Sequence, residues 1–114
     1  MRLVNLENAQ NIAESIESAN TFFKRLKGLM FRQELSSGSG LYLYPCNAIH
    51  TFFMKFPIDV LYIDKDWRIV GMEEHLQPGK IGKKFSTATS VIELESGSIR
   101  LNSIQRGQIV KLLK

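Results

Sequence analysis

The sequence predicts an α+β, mainly β domain: a small curved antiparallel sheet or barrel-like body with one short helix near residues 20–30. Three observations carry that expectation. Short runs rich in β-branched and aromatic residues recur along the chain, separated by Gly, Pro, Asn, Asp and Ser. Only one segment carries a convincing helical stripe. A length of 114 residues gives room for one domain and not for two cores, so residues 1–114 are read as a single domain.

Taken in order, Leu3 to Leu6 reads as a strand. Residues 12–18 are open to two readings. Ile12 and Ile16 are four apart, as on a helix, yet Ile12, Glu14, Ile16 and Ser18 also share one face of a strand, with Asn8–Asn11 as the turn before it. Asn20 or Thr21 can cap a helix running to about Met30, because Phe22, Phe23, Leu26, Leu29 and Met30 form one stripe. Ser36-Ser-Gly-Ser-Gly40 is a turn, and Leu41–Tyr44 a strand that stops at Pro45. Val60–Ile63 and Arg68–Met72 make a hairpin around Asp64–Trp67, and a loop from Leu76 carries Lys80, Lys83 and Lys84. Ser90–Leu94 is a further strand, closed by Glu95-Ser-Gly-Ser98, and Arg106-Gly107 turns into a last strand at Gln108–Leu112.

Composition narrows the function classes. An apolar content of 44% with 23% charged residues is ordinary for a globular chain. The longest apolar stretch is broken by His50, Lys55 and Asp59, short of the roughly 18 to 20 uncharged residues of a membrane helix, so no membrane association is expected. Met1–Glu7 lacks the apolar core of a signal peptide, which gives the expectation of a cytoplasmic location. Cys46 is the single cysteine, so neither an internal disulfide nor a cysteine-based zinc site can close within one chain. The net charge of +4 permits an acidic partner, but the basic residues form no dense run, and nucleic acid is not the expected partner.

The segment Cys46-Asn-Ala-Ile-His50-Thr-Phe-Phe-Met54-Lys-Phe-Pro-Ile-Asp59 holds most of the candidate chemistry. Cys46, His50 and Met54 are spaced by four and share a side of either a strand or a helix, a soft donor set that suits copper(I). Along a straight strand residues four apart lie roughly 13 Å from each other, too far for one ion, so packing is the favoured role of Cys46 and Met54 and no cofactor is assigned. Cys46 as nucleophile, His50 as base and Asp59 as orienting group would serve a hydrolase or transferase, but no glycine-rich oxyanion loop follows the cysteine. Asp59 lies between Ile58 and Val60 and must be paired if buried, either as a structural bridge or in a pocket with His50, Thr51 and Lys55. The rings of Tyr42, Tyr44, Phe52, Phe53, Phe56 and Tyr62 are read chiefly as core. His75 is read as a surface histidine.

Several ordered landmarks give this chain a family likeness: Arg25-Leu-Lys-Gly-Leu-Met30-Phe-Arg32, Gly40-Leu-Tyr-Leu, the His50-Thr-x-x-Met-Lys-x-Pro-Ile-Asp-Val-Leu-Tyr-Ile-Asp64 run, Val91-Ile-Glu-Leu-x-x-Gly97 and Ile104-x-x-Gly107. In these the chain resembles the domain of unknown function 192 family over nearly its whole length. The resemblance implies a mainly β fold with a short helix, favours strand for residues 12–18, and brings no established activity. The chain departs from the usual pattern in having Gln108 where the family has Asp. It also carries the Cys…Ile-His-Thr…Met-Lys-Phe-Pro variant in place of a Phe-Trp-Met-Lys-Asn-Thr core.

The reading that follows is a non-catalytic binding module for a small anionic ligand or a protein partner, with Arg25, His50, Thr51, Lys55 and Asp59 as ligand-binding residues. Polar groups set among bulky apolar ones have the mixed character of a pocket.

Overall fold

The computed structural model describes residues 1–114 as eight strands and two short helices. In chain order these are β1 (Arg2–Asn5), β2 (Gln10–Ala13), β3 (Ser15–Ala19), α1 (Phe22–Lys27), β4 (Ser39–Leu43), β5 (Ile58–Ile63), β6 (Ile69–Leu76), β7 (Ser90–Glu95), α2 (Ser98–Leu101) and β8 (Val110–Leu113). A five-stranded sheet has the order β3-β4-β7-β5-β6, and a three-stranded sheet the order β2-β1-β8. The domain is thus α+β and mainly β, and the sheets do not close into a barrel. Every named pairing is antiparallel except β3–β4, where α1 carries the chain across between two parallel strands.

Residues 10–19 form two strands, the outcome the family resemblance favoured over a helix. The α1 helix starts where the Thr21 hydroxyl accepts from Lys24 N at 3.2 Å. It ends at Lys27 and does not reach Met30, because Gly28 takes up φ +50° and turns the chain off the helical path. The α2 helix went unread in the sequence, since one turn is too short to display a period. The β5–β6 hairpin turns on Asp64, whose Oδ1 accepts from Asp66 N and Arg68 N, each at 2.9 Å. Gln108 carries its own tie in place of an acid: its Oε1 accepts from Asn5 Nδ2 and Gln105 N, both at 2.8 Å, joining the last turn to β1.

The five-stranded sheet is covered on both faces, which divides the apolar interior into two clusters where chain length suggested one. Leu61 and Ile63 of β5 with Ile92 and Leu94 of β7 pack against Leu3, Ile12, Ile99, Ile104 and Val110. The alternate positions Ile58, Val60 and Tyr62 with Val91 pack against Leu29, Leu41, Leu43, Ile49 and Met54. All six residues of β5 are buried, which is why its sequence is apolar at every position but Asp59. At Gly40 a Cβ would stand 2.6 Å from the Glu93 carbonyl oxygen, so the close approach of β4 to β7 requires glycine there.

Asp59 is the polar exception in β5, and it faces α2. Its Oδ1 accepts from His75 N and its Oδ2 from Ile99 N, each at 2.9 Å. One carboxyl therefore fixes the end of β6 and the first turn of α2 to the sheet's central strand. Asp59→Ala would leave two amides without an acceptor and lower the unfolding free energy in urea by about 3 kcal/mol. Lys55→Ala, at an exposed side chain, should stay within about 0.5 kcal/mol of the parent in the same titration.

Candidate functional site

On the face of the five-stranded sheet opposite Asp59, the chain leaves a cavity of about 200 Å³ between α1, the sheet and the 46–54 segment. Its apolar wall includes Phe22, Leu26, Leu29, Met30, Leu43, Ile49 and Met54. Its polar lining is Arg25, Lys27, Cys46, His50 and Glu93. A volume under the roughly 300 Å³ of sites for drug-sized molecules suits a ligand of few atoms.

Several backbone bonds hold the 46–54 segment against the sheet. Cys46 N donates to Thr89 O at 2.9 Å, Gly82 N to Ile49 O at 2.9 Å, and Thr51 N to Lys80 O at 2.8 Å. Phe31 N donates to Phe53 O at 3.0 Å, and the two rings stack 5.5 Å apart, fastening the stretch after α1 to the same segment. The helix thus sits over the cavity as a short lintel, with Arg25 and Lys27 on it.

Glu93 is the residue the sequence reading passed over. It lies mid-strand in β7, flanked in register by Leu41 of β4 and Val60 of β5, and is almost wholly shielded from solvent. Its Oε1 has no hydrogen-bond partner. Burial pushes its carboxyl up from the usual 4.5 to about 8, against a smaller pull down from Arg32. The α1 helix stops directly above it: a Cβ on Gly28 would lie 3.6 Å from Glu93 Oε1. The signal was present in Val91-Ile-Glu-Leu94, a lone acid in an apolar strand, the same signal that singled out Asp59.

The residues named from the sequence divide between the cavity and the scaffold. Arg25 and His50 line the cavity, with Cys46 and Met54 beside them. Arg25 Nη1 makes one long bond, 3.4 Å, to Tyr44 O. His50 stacks on Phe52 at 5.1 Å, and its Nδ1 accepts from Phe52 N at 3.1 Å. Thr51 is buried outside the cavity lining: its hydroxyl donates to Gln77 O at 2.6 Å and accepts from Lys80 N at 2.9 Å, clamping the loop after β6. Lys55 is exposed and lines no cavity wall with the others, and Asp59 lies behind the sheet on its two amides.

That partition bears on the chemistry. Cys46, His50 and Asp59 do not come together as a triad, because Asp59 belongs to the other face. Burial pushes the Cys46 thiol up, opposed by its bond to the Ala48 carbonyl, where Sγ donates at 3.1 Å. No group of three or more His, Cys, Asp or Glu is placed to hold a metal ion. No helix is long and apolar enough to cross a membrane.

Residues 4–112 match the DUF192 family profile, described as an uncharacterized ACR, and the chain belongs to that family. It is 30% identical to a UPF0127 protein of Thermococcus gammatolerans and 27% identical to one of Thermococcus kodakarensis, each over 100 residues. Those matches take in 83% of this chain but 64% and 62% of the relatives, so the chain spans just under two thirds of their length. Two crystal structures share the fold at 20% identity. One is a protein of unknown function from Novosphingobium aromaticivorans, with a TM-score of 0.83 over 98% of this chain and 84% of that one. The other, from Sinorhizobium meliloti and named as a candidate transcription regulator, has a TM-score of 0.82 over 96% of this chain and 89% of that one. At that identity the likeness concerns the fold alone.

Two measurements follow from the cavity's titratable groups. Between 4.5 and about 8 the folded chain keeps a proton on Glu93 that the unfolded chain has released. Stability therefore falls as pH rises through that window and levels off above it. Glu93→Gln removes this slope: relative to wild type, the variant should gain about 3 kcal/mol in urea unfolding between pH 4 and pH 7. For Cys46, iodoacetamide labelling of the native chain at pH 7.5 should run slower than labelling of free cysteine, and a faster rate would identify an activated thiol.

Proposed function

We propose that this member of the DUF192 family is a non-catalytic binding module that takes a small anionic ligand with an apolar body into the cavity beneath α1. The observation that carries the reading is the cavity's construction: a mostly apolar chamber with the Arg25 guanidinium in its wall. Arg25 offers five N–H donors and spends one on a long bond to Tyr44 O, so the remainder are free for an anion. Lys27 adds a second positive charge on the same helix. His50 and Cys46 contribute polar edges, while Thr51 and Asp59 support the site from a distance by holding the loops and strands around it.

A protein partner is the second reading, favoured by one observation. Phe22, Phe23, Phe31 and Phe53 stand 60% or more exposed on and beside α1, an unusual concentration for a domain of this size. Catalysis by Cys46 and His50 has less support, since burial favours the neutral thiol and Asp59, the orienting group read from the sequence, lies on the other face of the sheet.

Thermal denaturation with millimolar short-chain carboxylates, phosphates and sulfonates tests the first reading. At least one of these anions should raise the melting temperature of the wild type by mass action. Arg25→Ala should fold with little change in stability and bind that anion at least about tenfold more weakly, the equivalent of one lost charge-assisted hydrogen bond. Failure of all three anion classes to stabilise the wild type would sink the reading.

A further inference from the structure

The cavity's most unusual member is a carboxyl group that the protein itself leaves unanswered. Both neighbours of β7 pair with it, so the backbone amides of β4 and β5 beside Glu93 are committed to the sheet. Three neighbouring side chains are engaged elsewhere. Tyr62 of β5 gives its hydroxyl to Glu73 Oε1 of β6 at 2.6 Å. Cys46 gives its thiol proton to Ala48 O. Arg32, past the end of α1, pairs with Glu17 at 3.1 Å. A buried polar group without a partner costs roughly 1 to 3 kcal/mol, and a polar group entering the cavity would relieve Glu93 of that cost.

The structure also leaves the space for it. Gly28 presents no side chain over the carboxyl, where even a Cβ would stand 3.6 Å from Oε1 and 3.9 Å from Oε2.

We propose that the ligand's head is a carboxylate, met at the cavity floor by Glu93 as a neutral acid that donates its proton in a hydrogen bond, while Arg25 supplies the balancing charge. This rests on the binding reading above and names its ligand class. A cationic head would have to pass Arg25 and Lys27 and then draw a buried carboxyl into its charged form. A carboxylate is attracted by those two cations and accepts the one proton that the protein cannot place. O–H···O⁻ pairs of this kind are short and among the stronger hydrogen bonds, and the dry apolar wall of Leu29, Leu43, Ile49 and Met54 strengthens them further. With burial holding the Glu93 carboxyl near 8, the acid form prevails at neutral pH without a ligand.

The linkage has a definite sign. Below about 8 Glu93 carries its proton before the anion arrives. Above it, binding must recapture that proton, so affinity falls by up to about tenfold per pH unit. The other titratable or charged groups near Glu93 are Arg25 and Lys27 on α1, Arg32 beyond it, Cys46 and His50 in the facing segment, Tyr62 on β5 and Glu73 on β6. The variant Glu93→Gln, which keeps an N–H donor but cannot titrate, separates the effect of Glu93 from theirs.

The test is isothermal titration of the full chain with butanoate from pH 6 to pH 9, in two buffers of different ionisation enthalpy. Butanamide, butylamine and butanesulfonate serve as heads of other classes. The expected result is butanoate binding that is flat up to pH 7, weakens by about tenfold per unit above 8, and takes up close to one proton at pH 9. Glu93→Gln should bind butanoate with no pH slope and no proton uptake. Butanoate affinity that is equally flat in wild type and Glu93→Gln would overturn the shared proton while leaving the binding reading standing. Binding of butylamine or butanamide in place of butanoate would overturn the carboxylate head. Binding of butanesulfonate alone would keep an anion site at Arg25 and remove Glu93 from it, and silence from every probe would overturn this inference, while the binding reading stands or falls on the three-class thermal screen.

Discussion

The structure depends on the burial of both faces of its central strands. β5 and β7 lie side by side in the middle of the five-stranded sheet, and five or more of the six residues in each are buried. A strand in that position cannot tolerate an exposed face, so each side of the sheet needs its own cover. One side receives α2 and the three-stranded sheet, and the other receives α1 with the 46–54 segment. The first cover is a second sheet with a continuous apolar face. The second is a short helix and irregular chain, and it leaves a cavity against the sheet. The cavity lies under the weaker cover.

The two acids buried in these strands show how position decides role. Asp59 and Glu93 occupy adjacent strands within one residue of register, Asp59 opposite Leu94 and Glu93 opposite Val60. They point to opposite faces. Asp59 meets two free amides, one at the kink where His75 takes φ +52° and one at the start of α2, and becomes a joint of the scaffold. Glu93 meets a glycine and a mostly apolar cavity, its Oε1 has no hydrogen-bond partner, and its proton is held by burial. A carboxyl with two hydrogen bonds stabilises a fold, whereas one with none is a standing cost that ligand binding can relieve.

Much of the fold was legible because it rests on local patterns. The apolar runs at 58–63 and 90–95, the Asp64–Trp67 turn and the Thr21 cap all express short-range preferences that need no knowledge of the partner strand. The parallel β3–β4 pair and the split into two sheets were not legible, since pairing depends on segments far apart in the chain. The same distance hid the site. Arg25 and His50 were named from the sequence and do share a cavity, but Thr51 proved to bind the loop at Gln77 and Lys80, a use that no spacing within 46–59 could reveal. Glu93 has a sequence signal equal to that of Asp59, but no spacing within the chain ties it to the 46–59 segment, since the cavity draws its floor from a strand some forty residues later.

The strand order has a consequence for the chain as it is made. Strands β4 and β5 are separated in the finished sheet by β7, which follows both in sequence. On the ribosome, therefore, β4 and β5 emerge with unpaired inner edges, and they remain so until residues 90–95 leave the exit tunnel. The gap between them is open to any extended segment that reaches it first. A nascent chain that stops short of β7 is thus left with two strand edges free to pair with other extended chain.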